Sequence, residues 1–367
     1  MRAVIVLLAA ATALAQSAPQ VLFSRTNEDL RGVSAVSRKV AWASGTHGTY
    51  VRTIDGYTWI AEQVPGAEKL DFRGAEAFSA DEAFLMSSGP GEQSRIYHTA
   101  DAGRHWQMQF TEKNPKGFFD SMAFWDRTHG IVLGDPIPDE SGKLKFELLL
   151  TEDGQNWNPI PPAQLPSAIE GEGAFAASNS CLAILGRQDQ NVWFATGGTV
   201  ARVFHSPDRG RTWQVFDTPI VHTPIVHGTD AQGIFSIAFR DALHGAIAGG
   251  DYERPEEDGP NLAFTDDGGK TWTLSKIFPQ SYYSAVAFDR AYPASEASAS
   301  SVRKHEDQAG TRLFMVGPKF IYDFRPPRNP VRISPRKKSG MQFNAVSTYP
   351  GGGALIVGPK GAIVTVP

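Results

Sequence analysis

The stretch TDDGGKTW, residues 265–272, decides the fold, because copies of it recur along the chain. HTADAGRHW (98–106) and HSPDRGRTW (205–213) share its spacing, Thr or Ser-x-Asp-x-Gly-x-x-Trp. Two shorter copies, RTIDGYTW (52–59) and LTEDGQNW (150–157), lack one residue between the aspartate and the tryptophan. The adjacent acids suggest a cation site at first sight, but five copies cannot all be active sites. We therefore interpret the repeated stretch as a structural turn.

The residue types of the repeat explain how such a turn is stabilised. The aspartate side chain can accept hydrogen bonds from backbone N–H groups of its own turn, and the glycine can adopt a positive φ. The tryptophan then opens the next strand and buries its ring between neighbouring sheets. The residues predicted to have this structural role are Asp55, Trp59, Thr99, Asp101, Gly103, Trp106, Asp153, Trp157, Ser206, Asp208, Gly210, Trp213, Thr265, Asp267, Gly269 and Trp272.

The spacing resembles the Asp-box, or bacterial neuraminidase repeat, of sialidases, sortilin-type receptors and the photosystem II stability/assembly factor family. The resemblance implies a β-propeller in which each box joins the third and fourth strands of a blade. Ahead of the boxes, runs such as 32–45, 121–135 and 234–251 each contain two apolar stretches separated by a polar turn. Two further units, 283–324 and 343–366, lack the box. We predict an all-β chain forming a single seven-bladed β-propeller with four-stranded blades.

The chain ends indicate how the ring closes. The last unit stops at GAIVTVP, where a third strand would lie, and PQVLFSRT (19–26) is a β-like run without a hairpin partner. Pairing the N-terminal strand with the last blade would remove an exposed sheet edge. The predicted propeller spans 16–367, with blades at about 31–62, 71–110, 118–160, 173–217, 233–276, 282–335, and 341–367 plus 19–26.

Residues 1–15, MRAVIVLLAAATALA, have the pattern of a secretory signal peptide, with one positive charge, an apolar run and small residues before the cleavage site. We expect cleavage near Ala15 and an exported chain, periplasmic or secreted, without a transmembrane segment. A net charge of −4 does not favour nucleic-acid binding. The single cysteine, Cys181, lies in an apolar run and is expected in the core. We expect a monomer.

Function is expected on the face opposite the boxed turns, where the inter-blade links and the turns between second and third strands lie. Asp135 and Asp251 end two second strands in HGIVLGDP and HGAIAGGDY, and the links carry further acids and imidazoles. Such residues can bind a polar ligand or act in catalysis, although Asp135 and Asp251 can equally cap hairpins. The candidates on this face are Asp135, Asp251, Glu170, Glu172, His222 and His227.

A basic segment, RPPRNPVRISPRKKSG (325–340), stands where the sixth unit should have a box. Its prolines keep it out of a sheet interior, so its cations are expected at the surface. They can recognise an acidic partner or membrane headgroups, or simply form a solvated edge loop. The partner-binding candidates are Arg325, Arg328, Arg332, Arg336, Lys337 and Lys338.

Seven units, a signal peptide and divergent boxes resemble the photosystem II stability/assembly factor family most closely. That resemblance implies a non-catalytic scaffold that holds a partner, here an unknown protein or glycan, without cofactor or metal. The alternative is a glycoside hydrolase, sialidase-like or of another Asp-box type. Sialidases have an Arg-Ile-Pro motif near the mature N-terminus, which QVLFSRTNEDLRGVS lacks, although Tyr282 or Tyr283 would offer a nucleophile.

Overall fold

A computed structural model describes residues 18–186, 188–220, 228–276, 281–290, 311–325, 329–333 and 341–367. Within these ranges the chain forms seven antiparallel blades, and each blade contains four strands. The only helices there are two 3-10 turns, Gly91–Gln93 and Pro162–Gln164. The predicted all-β, seven-bladed propeller is therefore confirmed. None of the described residues belongs to a helix with the length and hydropathy that crossing a bilayer requires.

In blades 1 to 6, the four strands follow one another in chain order from the central channel to the outer edge. Blades 1 and 2 comprise Leu30–Ala35, Ala41–Gly45, Thr49–Thr53, Trp59–Gln63, and Phe72–Ala77, Ala83–Ser87, Arg95–Thr99, Gln107–Thr111. Blades 3 and 4 comprise Phe119–Phe124, Gly130–Pro138, Leu144–Thr151, Asn158–Pro159, and Leu182–Ile184, Val192–Ala195, Arg202–Ser206, Gln214–Asp217. Blades 5 and 6 comprise Gln232–Phe239, Gly245–Asp251, Leu262–Thr265, Thr273–Leu274, and Ala285–Phe288, Leu313–Gly317, Phe320–Phe324, Val331–Arg332. Two short strands, Glu172–Gly173 and Gly197–Gly198, extend the sheet of blade 5.

Blade 7 contains both ends of the described chain. Ala345–Thr348, Ala354–Gly358 and Ala362–Val366 form its inner strands, and Gln20–Phe23 forms its outer strand. The outer strand pairs antiparallel with Ala362–Val366. The predicted closure by the N-terminal strand is thus confirmed, and main-chain hydrogen bonds hold the ring together at this blade.

The hydrophobic core lies between the blades. Seven clusters of buried side chains fill the seven spaces between neighbouring blades. Between blades 4 and 5, for example, Trp193 stacks on Phe239 with ring centroids 3.8 Å apart. Cys181 is fully buried between blades 3 and 4, as its apolar setting predicted. Because each blade packs only against its two neighbours, the ring is stabilised by contacts distributed around its circumference.

The five Asp–Gly–Trp turns share one hydrogen-bond pattern. In blade 3, Asp153 Oδ1 accepts hydrogen bonds from the backbone N–H groups of Gln155 and Asn156 at 2.8 and 2.7 Å, and Thr151 Oγ1 accepts one from Gly154 N at 2.9 Å. The same hydroxyl donates to Asp153 Oδ1 at 3.2 Å. Hydrogen bonds of this kind hold the pKa of Asp153 well below its usual range. The carboxylate is therefore occupied by its own turn.

The backbone also explains the two lengths of the turn. In the longer copies, two successive residues have positive φ, as in Ala102 at 68° and Gly103 at 83°. In the shorter copies only the glycine does, as in Gly56 at 82°. Removing one residue thus deletes one left-handed position and leaves the aspartate able to reach the same backbone groups.

Replacing Asp153 with alanine is expected to lower the free energy of unfolding, because two backbone donors lose a charged acceptor. Urea denaturation measures the loss. The neighbouring Glu152→Ala variant is the control. The Glu152 side chain is 75% exposed, and its ion pair with Arg211, at 3.6 Å, lies at the surface. A change within about 0.5 kcal/mol is expected there. Equal effects of the two substitutions would contradict a stabilising role for Asp153.

Candidate functional site

The face opposite the Asp–Gly–Trp turns, here called the link face, carries β-bulges at the start of several inner strands. Register shifts occur at the same place in blades 1, 2, 3 and 5. The extra residues are Arg31, Arg73, Asp120 and Phe235. A bulge redirects a side chain that regular pairing would send into the space between blades. The contacts of these side chains place them around the link-face end of the central channel.

Residues 174–181, here called the plug, lie across the channel. Asn179 Oδ1 accepts a hydrogen bond from Met122 N in blade 3 at 2.8 Å, and its amide donates to Met122 O at 3.0 Å. Ser178 Oγ donates to Ser284 O beside blade 6 at 2.8 Å. Arg73 of blade 2 donates to Ala176 O at 3.1 Å. The plug therefore bridges blades that are not adjacent, and it separates a link-face mouth from a cavity on the turn face.

The plug changes the sequence interpretation of blade 4. The fourth unit was expected to begin at about residue 173, but the first strand of its blade begins only at Leu182. The physical reason is that Ser178, Asn179 and Ser180 interrupt the apolar pattern and find hydrogen-bond partners on other blades.

Arginine and aromatic side chains form the link-face mouth. Asp71 lies between two arginines: its Oδ2 is 2.8 Å from Arg73 Nε, and its Oδ1 is 4.0 Å from Arg31 Nε. Arg31 Nε itself has no hydrogen-bond partner. One carboxylate thus lies between two guanidinium groups, and each arginine side chain is 28% exposed. The mouth has an excess of arginine donors that a second carboxylate can satisfy.

The other side of the mouth is aromatic. Phe235 stacks on Phe175 of the plug with ring centroids 3.9 Å apart and meets the edge of Tyr282 at 4.8 Å. Tyr252 packs edge-on against Phe235 at 6.0 Å and remains 48% exposed. Burial raises the pKa of Tyr282, and the positive charge of Arg31 opposes that rise, so the arginine and aromatic sides face the same mouth. The mouth therefore combines an apolar wall with cationic donors.

A group of buried acids lies beside the mouth. Burial raises the pKa of Asp120 well above its usual value, and the charge of Asp135 acts in the same direction. Burial also raises the pKa of Asp135 to about 6, and burial together with the bond and charge of Glu112 raises that of Glu147 to about 8. Asp120 Oδ2 and Glu147 Oε2 have no hydrogen-bond partner. Burial thus favours the protonated form of each of these carboxyl groups.

The two aspartates predicted on the link face make local contacts. Asp135 Oδ1 accepts a hydrogen bond from Ala174 N at 3.0 Å, so it anchors the start of the plug. Asp251 caps its hairpin, accepting hydrogen bonds from Glu253 N at 2.9 Å and Arg254 N at 3.2 Å, and it forms an ion pair with Arg254 at 2.8 Å. Burial alone would raise the pKa of Asp251, but hydrogen bonds from Arg254 and its neighbours lower it.

The two predicted glutamates differ from each other. Glu172 is buried and forms an ion pair with Arg202, whose Nε donates to it at 2.9 Å, and it also accepts a hydrogen bond from Thr196 Oγ1 at 2.7 Å. Glu170 is exposed, and its carbonyl oxygen accepts a hydrogen bond from Thr199 at 2.7 Å. His222 and His227 lie outside the described residues.

Only two of the six basic candidates are among the described residues. Arg325 forms an ion pair with Asp323 at 3.1 Å, and Arg332 lies in the outer strand of blade 6 and donates to Lys319 O at 2.9 Å. The candidates outside the described residues are Arg328, Arg336, Lys337 and Lys338.

The mouth arginines were missed at the sequence level, although a signal for them exists. LRGVSA (30–35) and FRGAEA (72–77) place Arg-Gly at the same position of successive units. An alignment of the units by their inner strands, instead of by their boxed turns, would have shown an arginine pair at one end of two adjacent blades.

Comparison with known proteins supports the fold. Neither a family model nor a curated protein matches the chain. Among solved structures, YCF48 from Cyanidioschyzon merolae is similar with a TM-score of 0.60 and 16% identity, over 95% of this chain and 98% of that one. The chain shares its fold with YCF48.

Two other solved structures extend this result. A structure of YCF48 bound to D1 peptide matches with a TM-score of 0.58 and 14% identity, covering 98% of this chain and 99% of that one. The WD40 β-propeller domain of Doa1 matches with a TM-score of 0.59 and 10% identity, covering 96% of both chains. At such identities the likeness concerns the fold alone.

Proposed function

We propose that this chain is an exported, non-catalytic scaffold that binds a peptide segment of a partner protein at the link-face mouth. The observation that carries the proposal is the pair Arg31 and Arg73 around the single carboxylate of Asp71. A guanidinium group binds a carboxylate through two parallel hydrogen bonds, which gives direction as well as affinity. A peptide supplies such a group at its C-terminus or on an acidic side chain.

The aromatic wall adds the second requirement of peptide recognition. Tyr252 presents a large, exposed surface with few rotatable bonds, and Phe235 and Tyr282 behind it are buried and fixed by ring contacts. Burial of an aromatic or aliphatic peptide side chain against this surface would release water at little entropic cost to the protein. YCF48, a photosystem II assembly factor with the same fold, has been solved with D1 peptide bound, which supports a peptide as the class of ligand.

The contacts of the candidate catalytic groups favour binding over glycoside hydrolysis. Asp251 and Glu172 are each neutralised by an arginine and accept further hydrogen bonds. Burial raises the pKa of both Tyr282 and Tyr283, which makes either one a poor nucleophile. A hydrolase would require an acid and a second carboxylate that converge on an open cleft.

Selection from a displayed library of random peptides with free C-termini tests the proposal. We expect enriched peptides to combine a terminal or side-chain carboxylate with a neighbouring aromatic or aliphatic residue. For the best synthetic peptide, Arg31→Ala and Tyr252→Ala should each weaken binding by about ten-fold or more, as removal of central arginine and tyrosine contacts does. Isothermal titration calorimetry measures the dissociation constant.

Tyr57→Ala is the matched control, because Tyr57 is 73% exposed on the opposite face; it should leave the dissociation constant unchanged. An enriched peptide that binds Arg31→Ala and Tyr252→Ala as tightly as the unaltered protein would refute the mouth as the binding site. Export is part of the proposal because of the signal-peptide pattern of residues 1–15. N-terminal sequencing of the protein from its natural host tests it, and a chain that retains those residues would count against export.

A further inference from the structure

Beyond the plug, on the turn face, the channel opens into a cavity of about 640 Å³. Its wall is formed largely by the turn-face ends of the inner strands of blades 3 to 6. Several backbone groups along the inner edges of these strands already have partners: Met122 bonds Asn179, Ile237 N donates to Ser180 O, and Val286 N donates to Ser236 Oγ. The polar part of the wall therefore consists mainly of side chains. The amide of Asn179 closes the wall at the plug. Such a lining suits a small polar molecule better than an apolar one.

Two opposite charges, Glu76 and Arg290, line this cavity. They interact electrostatically, yet within the described part of the chain neither side chain has a hydrogen-bond or ion-pair partner. Burial raises the pKa of Glu76 to about 7, and the charge of Arg290 opposes this shift. Glu76 is half-buried and Arg290 is exposed, so both charged groups are open to a ligand that enters the cavity.

The other ionic side chains of the wall already have partners. Asp289 forms an ion pair with Arg312 at 3.0 Å, and Arg240 forms one with Asp241 at 3.2 Å. The charges available to a ligand are thus one carboxylate and one guanidinium group, on different blades of the same cavity.

We propose that this cavity binds a small zwitterion of the free amino-acid class, with its carboxylate on Arg290 and its ammonium group on Glu76. A guanidinium group donates two hydrogen bonds to a carboxylate, and an ammonium group donates to a carboxylate in turn. An anion without an ammonium group would leave Glu76 unpaired, and a cation would leave Arg290 unpaired. The cavity volume falls in the range of small-molecule sites and leaves room for a side chain beyond the two charged groups.

Differential scanning fluorimetry of the full chain with each of the standard free L-amino acids tests this proposal. We expect at least one amino acid to raise the melting temperature, since a ligand that binds only the folded state stabilises it. Its N-acetyl derivative lacks the ammonium group and its amide lacks the carboxylate. Both derivatives should bind about ten- to a hundred-fold more weakly by calorimetry, the effect of losing a charged hydrogen bond.

Glu76→Gln and Arg290→Gln should each weaken binding of the same amino acid to a similar extent. Arg104→Gln is the control, because Arg104 is exposed on the same face and its Nε donates only to the carbonyl of Asp101 at 2.9 Å. Arg31→Ala at the link-face mouth should also leave this binding intact, which separates the two sites. Thermal melts followed by circular dichroism verify that each variant folds. The proposal fails if no standard amino acid raises the melting temperature, or if both cavity variants bind as tightly as the unaltered protein.

Discussion

Replacing Arg312 with methionine is expected to lower the free energy of unfolding by about 3–5 kcal/mol, the largest effect of any single substitution argued for this chain. Arg312 is 6% exposed and lies just before the second strand of blade 6. Its guanidinium group is 3.0 Å from Asp289 and 2.9 Å from Asp323, and it donates to Pro367 O at 2.9 Å. Methionine preserves much of the apolar volume but removes the cation that buried Asp289 shares with half-buried Asp323, and Asp323 keeps a further ion pair, with Arg325.

Because of its position, Arg312 also stabilises the closure of the ring. Through Pro367 it ties blade 6 to the end of blade 7, the blade in which the ring closes. Urea denaturation followed by tryptophan fluorescence measures the loss. Arg332→Met is the matched control, since Arg332 is exposed in the same blade and donates to a single carbonyl; a change within about 0.5 kcal/mol is expected.

A triple variant distinguishes loss of pairing from loss of packing. Arg312→Met combined with Asp289→Asn and Asp323→Asn removes both carboxylate charges together with the arginine and retains an acceptor for the hydrogen bond that Gly353 N donates to residue 289. Because replacing a whole buried ion network is often far less costly than breaking it, the triple variant should be more stable than Arg312→Met alone. A triple variant that is still less stable than the single one would mean that the charges themselves are not the cause.

The fold was predictable from sequence because its signal is local. An Asp–Gly–Trp turn is stabilised within about six residues, as Thr151, Asp153 and Gly154 show, so its spacing survives in the sequence. The repeat then fixes the number of strands and the side of each blade on which a turn lies. The unpaired run 19–26 indicated the closure for the same reason, since a strand without a hairpin partner must pair elsewhere.

The candidate site was far less predictable, because its contacts join distant parts of the chain. Arg73 and Ala176 are more than a hundred residues apart, as are Ser178 and Ser284. Residue type alone did not separate Asp251, which caps a hairpin beside Arg254, from an acid that faces a ligand. The plug shows this most clearly. Its polar residues look like an interrupted strand in the sequence, and only the structure shows that they bond other blades.

The free energy of unfolding is expected to fall as the pH rises from about 5 to about 8.5, because of the buried acids beside the plug. Burial raises the pKa of Asp135 to about 6, and burial together with Glu112 raises that of Glu147 to about 8. In the unfolded chain both groups return to ordinary values near 4, so the folded state binds more protons throughout this window. The stabilisation from Asp135 and Glu147 is therefore complete near their unfolded pKa values, and it is lost as the pH rises through their folded pKa values.

Glu147→Gln isolates the contribution of Glu147, since an amide fills the site without ionising. This variant should lose about 4 kcal/mol less than the unaltered protein over the same pH range, as measured by urea denaturation at each pH. Glu140→Gln is the control, because Glu140 is exposed in the hairpin of the same blade and should leave the pH dependence intact. His98 and His205, whose pKa values burial lowers, act in the opposite direction but equally in all three proteins. Identical pH slopes for the two variants would show that Glu147 is already ionised in the folded state over this pH range.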